Sequence, residues 1–371
     1  MDDQEVDVLI IGAGPAGAAC ALGLLRYSDC RVWVLDNGDL QQVRVGEHVS
    51  SSIFDFLDYL KVDKRQFDDQ CFTANYGKTS YWGSDIPSQH DSLFTTAGTS
   101  YQLKRELFDL ELLKQVADAG GHVLPRSQCL SVEQNDQQEW TVDIEHERFG
   151  AFQINAQYLV DASGRKAFMS RRLGIPRRND DRLMGVGTFL QFNDGPLNHD
   201  QLIETTELGW WYTATLSDNT AVATFFSDAD IISRDQLQKP ENWNQCLQQT
   251  KHMRKRLQGS QTTTPNLWVK DASSQVNDLH QRSHFIAIGD AAAAFDPVSS
   301  MGLGFALSSA CVGAKALQAT LANGNEESLA VYDKDIQNNF TQYQTNKRQV
   351  YGQEQRWPSA TFWQRRQDNV L

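Results

Sequence analysis

The sequence has no Cys-x-x-Cys pair. Its six cysteines, Cys20, Cys30, Cys71, Cys129, Cys246 and Cys311, are scattered along 371 residues. That excludes a disulfide-stapled scaffold and leaves buried free thiols in a reducing cytoplasm as the expectation. No His/Cys cluster has ligand spacing, so no metal site is expected. Basic charge is scarce: 34 Lys and Arg stand against 47 Asp and Glu, a net charge of −13. Such an excess of acid argues against nucleic acid or an anionic membrane as the main partner. The short pairs Arg171-Arg172 and Arg177-Arg178 read as solvated surface or as contacts to a cofactor phosphate. No segment is expected to reach the length that spans a bilayer. The opening, Met1-Asp2-Asp3-Gln4-Glu5, is acidic where a secretory signal would be basic, so a cytoplasmic protein is expected. There is no internal repeat and no low-complexity block. With 22% charged and 40% hydrophobic residues the composition is that of an ordinary globular chain, long enough for two domains or one large one.

What is present is concentrated near the start. Val8-Leu9-Ile10-Ile11 is a strand buried on both faces, followed at once by Gly12-Ala13-Gly14-Pro15-Ala16-Gly17 and a run of small apolar residues suited to a close-packed helix. In this GxGxxG pattern the glycines serve a tight turn, backbone approach to a pyrophosphate, and helix–strand contact. The phosphate then sits on the helix N-terminus. A second apolar strand ends at Asp36, about 20 residues past the glycines, where a ribose-binding acid belongs. An acid there suits FAD or NAD and disfavours NADP.

Further along, the spacing predicts a helix over Ile53–Leu60 capped by Ser50–Ser52, and strands with a loop over 67–100. A helix is predicted from Leu103 to Ala119, ending at Gly120-Gly121. Alternation around residues 183–230 predicts an antiparallel sheet on one side of the cofactor. A polar helix over 235–258 follows, then a buried strand, Phe285–Ile288, that runs into Gly289-Asp290, and a small-residue helix over 302–321. The tail beyond 326 is rich in Gln, Asn, Arg and Lys.

Gly289-Asp290-Ala291-Ala292, with Asp296-Pro297 and Gly302-Leu303-Gly304, together with the opening glycines, resembles the FAD-binding fold of the p-hydroxybenzoate hydroxylase type. That superfamily includes aromatic hydroxylases, geranylgeranyl reductases and flavin-dependent halogenases. The resemblance covers nearly the whole chain except the last forty-odd residues. It implies FAD as cofactor, with Asp290 on the ribityl chain and the helix starting near Gly302 aimed at the flavin edge that carries negative charge when reduced. Gly289, Pro297, Gly302, Leu303 and Gly304 would line that approach. Gln102-Leu103-Lys104-Arg105 resembles the family's helix start, which makes Arg105 an FAD contact. Val45-Gly46-Glu47-His48 resembles the halogenases' Gly-Glu strap between flavin and substrate, drawing in Gly46, Glu47 and Arg44; a surface ion pair of Arg44 with Glu47 is the plain alternative.

The departures carry information. Ser163 stands where aromatic hydroxylases carry an acid tied to nicotinamide use, and no second GxGxxG exists, which leaves the route of flavin reduction open, with an external electron donor expected. Gly209-Trp210-Trp211-Tyr212-Thr213-Ala214 does not match the halogenases' Trp-x-Trp-x-Ile-Pro. Lys78 sits near where their lysine would lie, although a solvent-facing strand lysine is the commoner use of such a residue.

A narrower resemblance is to the flavoprotein maturases paired with the tryptophylquinone oxidases of marine bacteria. It rests on Asp-Ala-Ser-Gly, the run from Gly289 to Gly304, and the compact length. It implies oxidation (hydroxylation) of a tryptophan in a precursor oxidase as cysteine tryptophylquinone forms. The alternatives are a halogenase or hydroxylase of a small aromatic molecule, and a non-catalytic FAD-containing chaperone. Glu47, His48 and Lys78 are the candidates for catalysis. Trp210, Trp211, Tyr212, Trp357 and Trp363 would supply a docking face for a protein substrate, with core packing as the plainer reading.

The expected architecture is α/β. It comprises a Rossmann-like FAD-binding domain (1–66, 101–178 and 275–325), an antiparallel sheet domain for substrate (67–100 and 179–274) and a C-terminal helical tail (326–371).

Overall fold

The computed structural model describes residues 3–40, 44–91, 99–193, 199–217, 219–263, 266–278 and 282–367. At its centre is a seven-stranded sheet, six strands in the order His122–Leu124, Val32–Leu35, Gln4–Ile11, Gly150–Asp161, Trp140–His146, Ser127–Gln134 and a seventh, Phe285–Ala287, beside Gly150–Asp161. The first strand is apolar on both faces because it lies between two parallel neighbours, and parallel sheets are covered on both sides. Gly150–Asp161 is the pivot. Its first half pairs antiparallel with Trp140–His146, and its last three residues pair parallel with Phe285–Ala287. Register brings the carboxyl ends level: Leu35 opposes Ile11, Ile11 opposes Asp161, and Asp161 opposes Ala287. The loops after these strands therefore share one edge, at the point in an open α/β sheet where ligands bind.

The helix Pro15–Tyr27 follows the glycine loop, with Pro at its start where a missing N–H costs nothing. It packs against the long helix Gly302–Asn323, on which Glu327–Gly352 lies. Gly302–Asn323 corrects one expectation, since by length and hydropathy it is apolar enough to cross a membrane. Half of its residues are buried between its neighbours, as befits a core helix. All six cysteines are free, and five are buried.

The second sheet has eight strands, centred on Leu183–Gln191, Thr220–Asp228, Gly209–Thr215 and Asp200–Thr206. It is antiparallel except where Asp200–Thr206 runs parallel to Gly77–Tyr81. One face, with Val186, Trp211 and Phe225, packs on Ile232, Trp243 and Met253. The other, with Leu183, Ile203, Trp210 and Phe226, packs on Tyr351, Phe362 and Trp363. The single helix expected over 235–258 is divided into Pro240–Gln248 and Met253–Arg256. The cause of the break is the buried Glu204, whose carboxylate accepts from the N–H groups of Lys251, His252 and Met253 at 2.6, 2.9 and 2.6 Å.

A three-stranded sheet, His48–Ser50, Ser100–Leu103 and Phe72–Asn75, joins the two bodies. Leu103 thus belongs to a strand, and the helix expected from there begins at Arg105. Ser52 precedes Ile53–Tyr59 without capping it; its hydroxyl bonds that of Ser50 at 2.6 Å. Part of the loop expected within 67–100 lies outside the described residues.

Of the two readings of the tryptophans, core packing is the one found for Trp210, Trp211 and Trp363. Trp210, Trp211 and Trp363 are buried, Tyr212 and Trp357 half-buried. Adjacent strand residues point to opposite faces, so Trp210 and Trp211 enter different cores. Trp210 Nε1 donates to Tyr351 Oη at 3.0 Å, and Trp363 Nε1 to the Thr206 carbonyl at 2.9 Å. Trp363→Ala is therefore expected to cost about 3–5 kcal/mol, read as a lowered urea midpoint. An unchanged midpoint would sink the assignment of the tail to the core.

Candidate functional site

The glycine loop is built by close approach. Gly12 has φ +117°, and its N–H donates to the Leu35 carbonyl at 2.7 Å. A Cβ at Gly12 would lie 2.3 Å from the Ala162 carbonyl oxygen, and one at Gly17 1.9 Å from that of Gly12. Neither site admits a side chain. Asp36 closes the turn: its Oδ2 accepts from Ala13 N at 2.8 Å and its Oδ1 from Gly38 N at 2.7 Å.

Over this loop lies the segment 44–47. A Cβ built on Gly14 would find only Arg44 Nη1, 3.7 Å away. The surface pair of Arg44 with Glu47 does not form. Arg44 instead donates to Asp109 Oδ2 at 2.6 Å. Arg105, at the first turn of Arg105–Asp118, donates to Asp109 through Nε (3.1 Å) and Nη2 (3.0 Å), and to the Val45 and Gly46 carbonyls through Nη1 (2.8 and 3.2 Å). Asp109 thus holds two arginines, and one of them pins the strap.

On the far side of the sheet edge, Ser163 Oγ donates to Asp161 Oδ1 at 2.5 Å and accepts from Phe168 N at 2.6 Å, so it serves the turn itself. Asp290 follows Gly289, which has φ +57°. Its carboxylate lies 3.4 Å from Arg165 Nε. Burial raises its pKa above the ordinary carboxylate value, with Arg165 and Arg105 opposing. Pro297 opens the turn Pro297–Ser299, which leads to the helix at Gly302. Leu303 is buried, while a Cβ built on Gly302 or Gly304 would meet no atom within 4 Å. The N–H groups of Gly302, Leu303 and Gly304 donate to no partner among the described residues, as expected of a helix start facing a ligand.

Between the strap and the second sheet lies a polar cluster. Glu47 is 5% exposed, and its Oε1 has no partner among the described residues. Burial pushes its pKa up to about 7, against the opposing pull of backbone N–H groups and Arg105. Burial raises the pKa of the neighbouring Tyr212 phenol; the Glu47 charge adds to this and a hydrogen bond with Gln102 opposes it. Gln102 Nε2 also lies 3.4 Å from His48 Nδ1, which Gln201 Nε2 contacts as well. Two amide donors at Nδ1 leave the ring proton on Nε2, pointing away from them. Burial first, then the charge of Lys78, lowers the His48 pKa to about 4. Lys78 stands opposite Gln201 in the parallel pair. Burial lowers its own pKa, and its ammonium has no hydrogen bond or ion pair among the described residues. Lys78 is thus half-buried rather than fully solvent-facing. Lys78→Met should raise the His48 pKa while leaving it under 6.5, because desolvation remains. An NMR pH titration of the ring protons would show this, and no shift would mean the two side chains do not share a site.

The residues present fit FAD. They offer a glycine loop closed to side chains, free helix-start N–H groups and an orphaned buried carboxylate oxygen. The chain matches the FAD binding domain family over residues 5–346 and belongs to that family. Its class is that of the FAD-dependent oxidoreductases, with FAD as cofactor. It is 45% identical over 363 residues to a protein described as an FAD-dependent oxidoreductase, LodB, of Marinomonas mediterranea, covering 98% of this chain and 97% of that one. Its fold is shared with the flavin-dependent halogenase CmlS (TM-score 0.87, 22% identity, 98% of this chain and 68% of that one). It is shared also with QhpG, a peptidyl tryptophan dihydroxylase essential for tryptophylquinone cofactor biogenesis (TM-score 0.71, 22% identity, 98% and 79%).

The structure brings Glu47, His48 and Lys78 into one region and places Gly12–Gly17, Asp36, Arg44, Gly46, Arg105, Gly289, Asp290, Pro297 and Gly302–Gly304 around the sheet edge. Sequence reasoning gave no role to Asp109, Gln102, Gln201 or Arg165. A carboxylate four residues after Arg105 on one helix face was the only legible signal among them.

Proposed function

We propose that this protein is an FAD-dependent monooxygenase that hydroxylates a tryptophan side chain in a precursor oxidase, during formation of a cysteine tryptophylquinone. Residues 1–66, 101–178 and 275–325 hold FAD; residues 67–100 and 179–274 form the substrate side, and 326–371 close it. The Gly12–Gly17 loop takes the diphosphate, with Asp36 at the ribose, Arg44, Gly46 and Arg105 over the loop, Asp290 at the ribityl chain, and Gly302–Gly304 at the ring. When bound, FAD supplies the redox chemistry with oxygen, after reduction by an external donor.

The chain's own residues govern protons and position. Of each oxygen molecule, one atom ends on the indole and the other in water, which requires protons. Below about pH 7 Glu47 carries one in a site shielded from solvent. His48 stays neutral and offers its Nε2–H. The observation that carries this reading is the Glu47–Tyr212–Gln102–His48–Gln201–Lys78 cluster beside the strap, in which Glu47, Gln102 and Gln201 are buried and the others half-buried. The likeness to LodB and the fold shared with a peptidyl tryptophan dihydroxylase support the choice of substrate.

The Lys78 ammonium, without a partner among the described residues, favours a second reading, halogenation of a small aromatic molecule. Purified protein, reduced FAD, oxygen and halide are supplied with free tryptophan or with precursor oxidase, and products are read by mass spectrometry. Oxygen added to the precursor alone is the expected result. A halogen isotope pattern on free tryptophan would replace it with the second reading. A stable complex with unmodified precursor would make the protein a chaperone.

A further inference from the structure

The chain carries a net charge of −13 yet gathers cations around one cavity outside the cluster described above. The cavity has a volume of about 380 Å³. Arg165, Lys166, Arg171, Arg177 and Arg182 line it, with Asp181 and Asp271. Several of these charges are already engaged. Lys347 and Ser274 occupy Asp181. Arg165 is held by Asp290 and by the Ser273 and Phe295 carbonyls at 2.7 and 2.6 Å. Four cations remain against the one carboxylate of Asp271, whose Oδ1 accepts from Ser273.

Among the described residues the side chains of Lys166, Arg171 and Arg182 form no hydrogen bond or ion pair. Arg177 donates to the Arg165 carbonyl at 2.6 Å, but its Nε is buried without a partner. A buried guanidinium N–H with nothing to donate to costs free energy unless an acceptor enters. Burial, with Arg171 and Arg165 nearby, also lowers the Arg177 pKa below the ordinary value, Asp271 opposing, so the site is short of negative charge.

We propose that this cavity binds a small phosphate-bearing anion, a nucleotide or sugar phosphate. Its phosphates lie on Lys166, Arg171, Arg177 and Arg182, and a hydroxyl donates to Asp271. Guanidinium forks match phosphate oxygens in geometry as well as charge. The volume is that of a small-molecule site. Lys166, Arg171 and Arg182 are exposed around the cavity while Arg177 Nε lies below the surface, a depth that suits an entering anion better than the flat face of a partner protein. Arg165 spans from this cavity to Asp290, so the occupant sits one side chain away from the sheet edge.

The test is calorimetric titration of FAD-saturated protein with ADP, and separately with inorganic pyrophosphate, at low and at high salt. Saturation with FAD keeps ADP out of the glycine loop, and a colourless protein would reveal failure of the FAD placement before any titration. Binding that weakens with salt is expected, along with a loss of roughly tenfold or more in the double variant Arg171→Gln/Arg182→Gln. Both are exposed residues whose replacement leaves the core untouched. Tighter binding of ADP than of pyrophosphate would place the ribose at Asp271; equal binding would overturn that contact and keep the phosphate site. No binding of either ligand, or binding indifferent to the double variant, overturns the proposal. So does a double variant that loses only its hold on the precursor oxidase.

Discussion

Gly17→Ala is expected to produce a protein that no longer retains FAD. The added carbon would stand 1.9 Å from the Gly12 carbonyl oxygen and 3.3 Å from the Ala162 Cβ. The first of these is backbone in a turn whose own N–H is committed to Leu35. No side chain can swing aside, so the strand–helix junction itself must open. Overpacking commonly costs about 1–3 kcal/mol, and a clash with backbone lies at or above the upper end. The ratio of flavin to protein absorbance after incubation with excess FAD, with the thermal midpoint, checks it. Gly302→Ala is the control: a methyl there meets no protein atom within 4 Å, so the fold should hold. If Gly17→Ala kept a full complement of FAD, the diphosphate would not lie on this loop.

Glu47→Gln is expected to lower hydroxylation by about 10²–10⁴-fold, the range lost with a positioned proton donor. The wild type should lose activity as pH rises through about 7, because burial keeps the carboxyl protonated below that value and it ionises above. Stability runs the same way. A folded-state pKa raised above the unfolded value means that the folded chain binds the proton more tightly. Stability is then greatest below the ordinary carboxylate pKa and declines until pH passes about 7. The glutamine variant carries no proton to lose, so its stability should be flatter across this range and no lower than the wild type's above it. Slow turnover with unchanged or improved stability separates a chemical role from a structural one. A variant with a wild-type pH profile would remove Glu47 from the proposed proton path.

Several site residues were readable because they are close in sequence. Val8–Ile11, the GxGxxG turn and Asp36 form one strand–helix–strand unit, and local spacing is enough to specify it. The same holds for Phe285–Ala287, the Gly289-Asp290 turn and the helix from Gly302. Arg105 was readable, whereas its partner Asp109 received no role although it lies one helical turn away.

Other features depend on pairings between distant segments. Gly77–Tyr81 runs parallel beside Asp200–Thr206, which puts Lys78 opposite Gln201, while the pairing of His48–Ser50 with Ser100–Leu103 sets His48 opposite Gln102 and within reach of Gln201. Glutamine inside a strand carries no signal of its own. The tryptophans were ambiguous for a related reason. An aromatic run suits a docking face or a core equally well, and burial under Tyr351, Phe362 and Trp363 decides for the core.

The chain order by itself pointed to a dinucleotide cofactor and to the loop proposed to hold it, because the turn, the helix start and the acid act over short spans of backbone. Only the tertiary structure decided the environment of the side chains proposed to be reactive. Desolvation and neighbouring charge set the protonation of Glu47, His48 and Lys78, and both arise from packing of segments far apart in the chain.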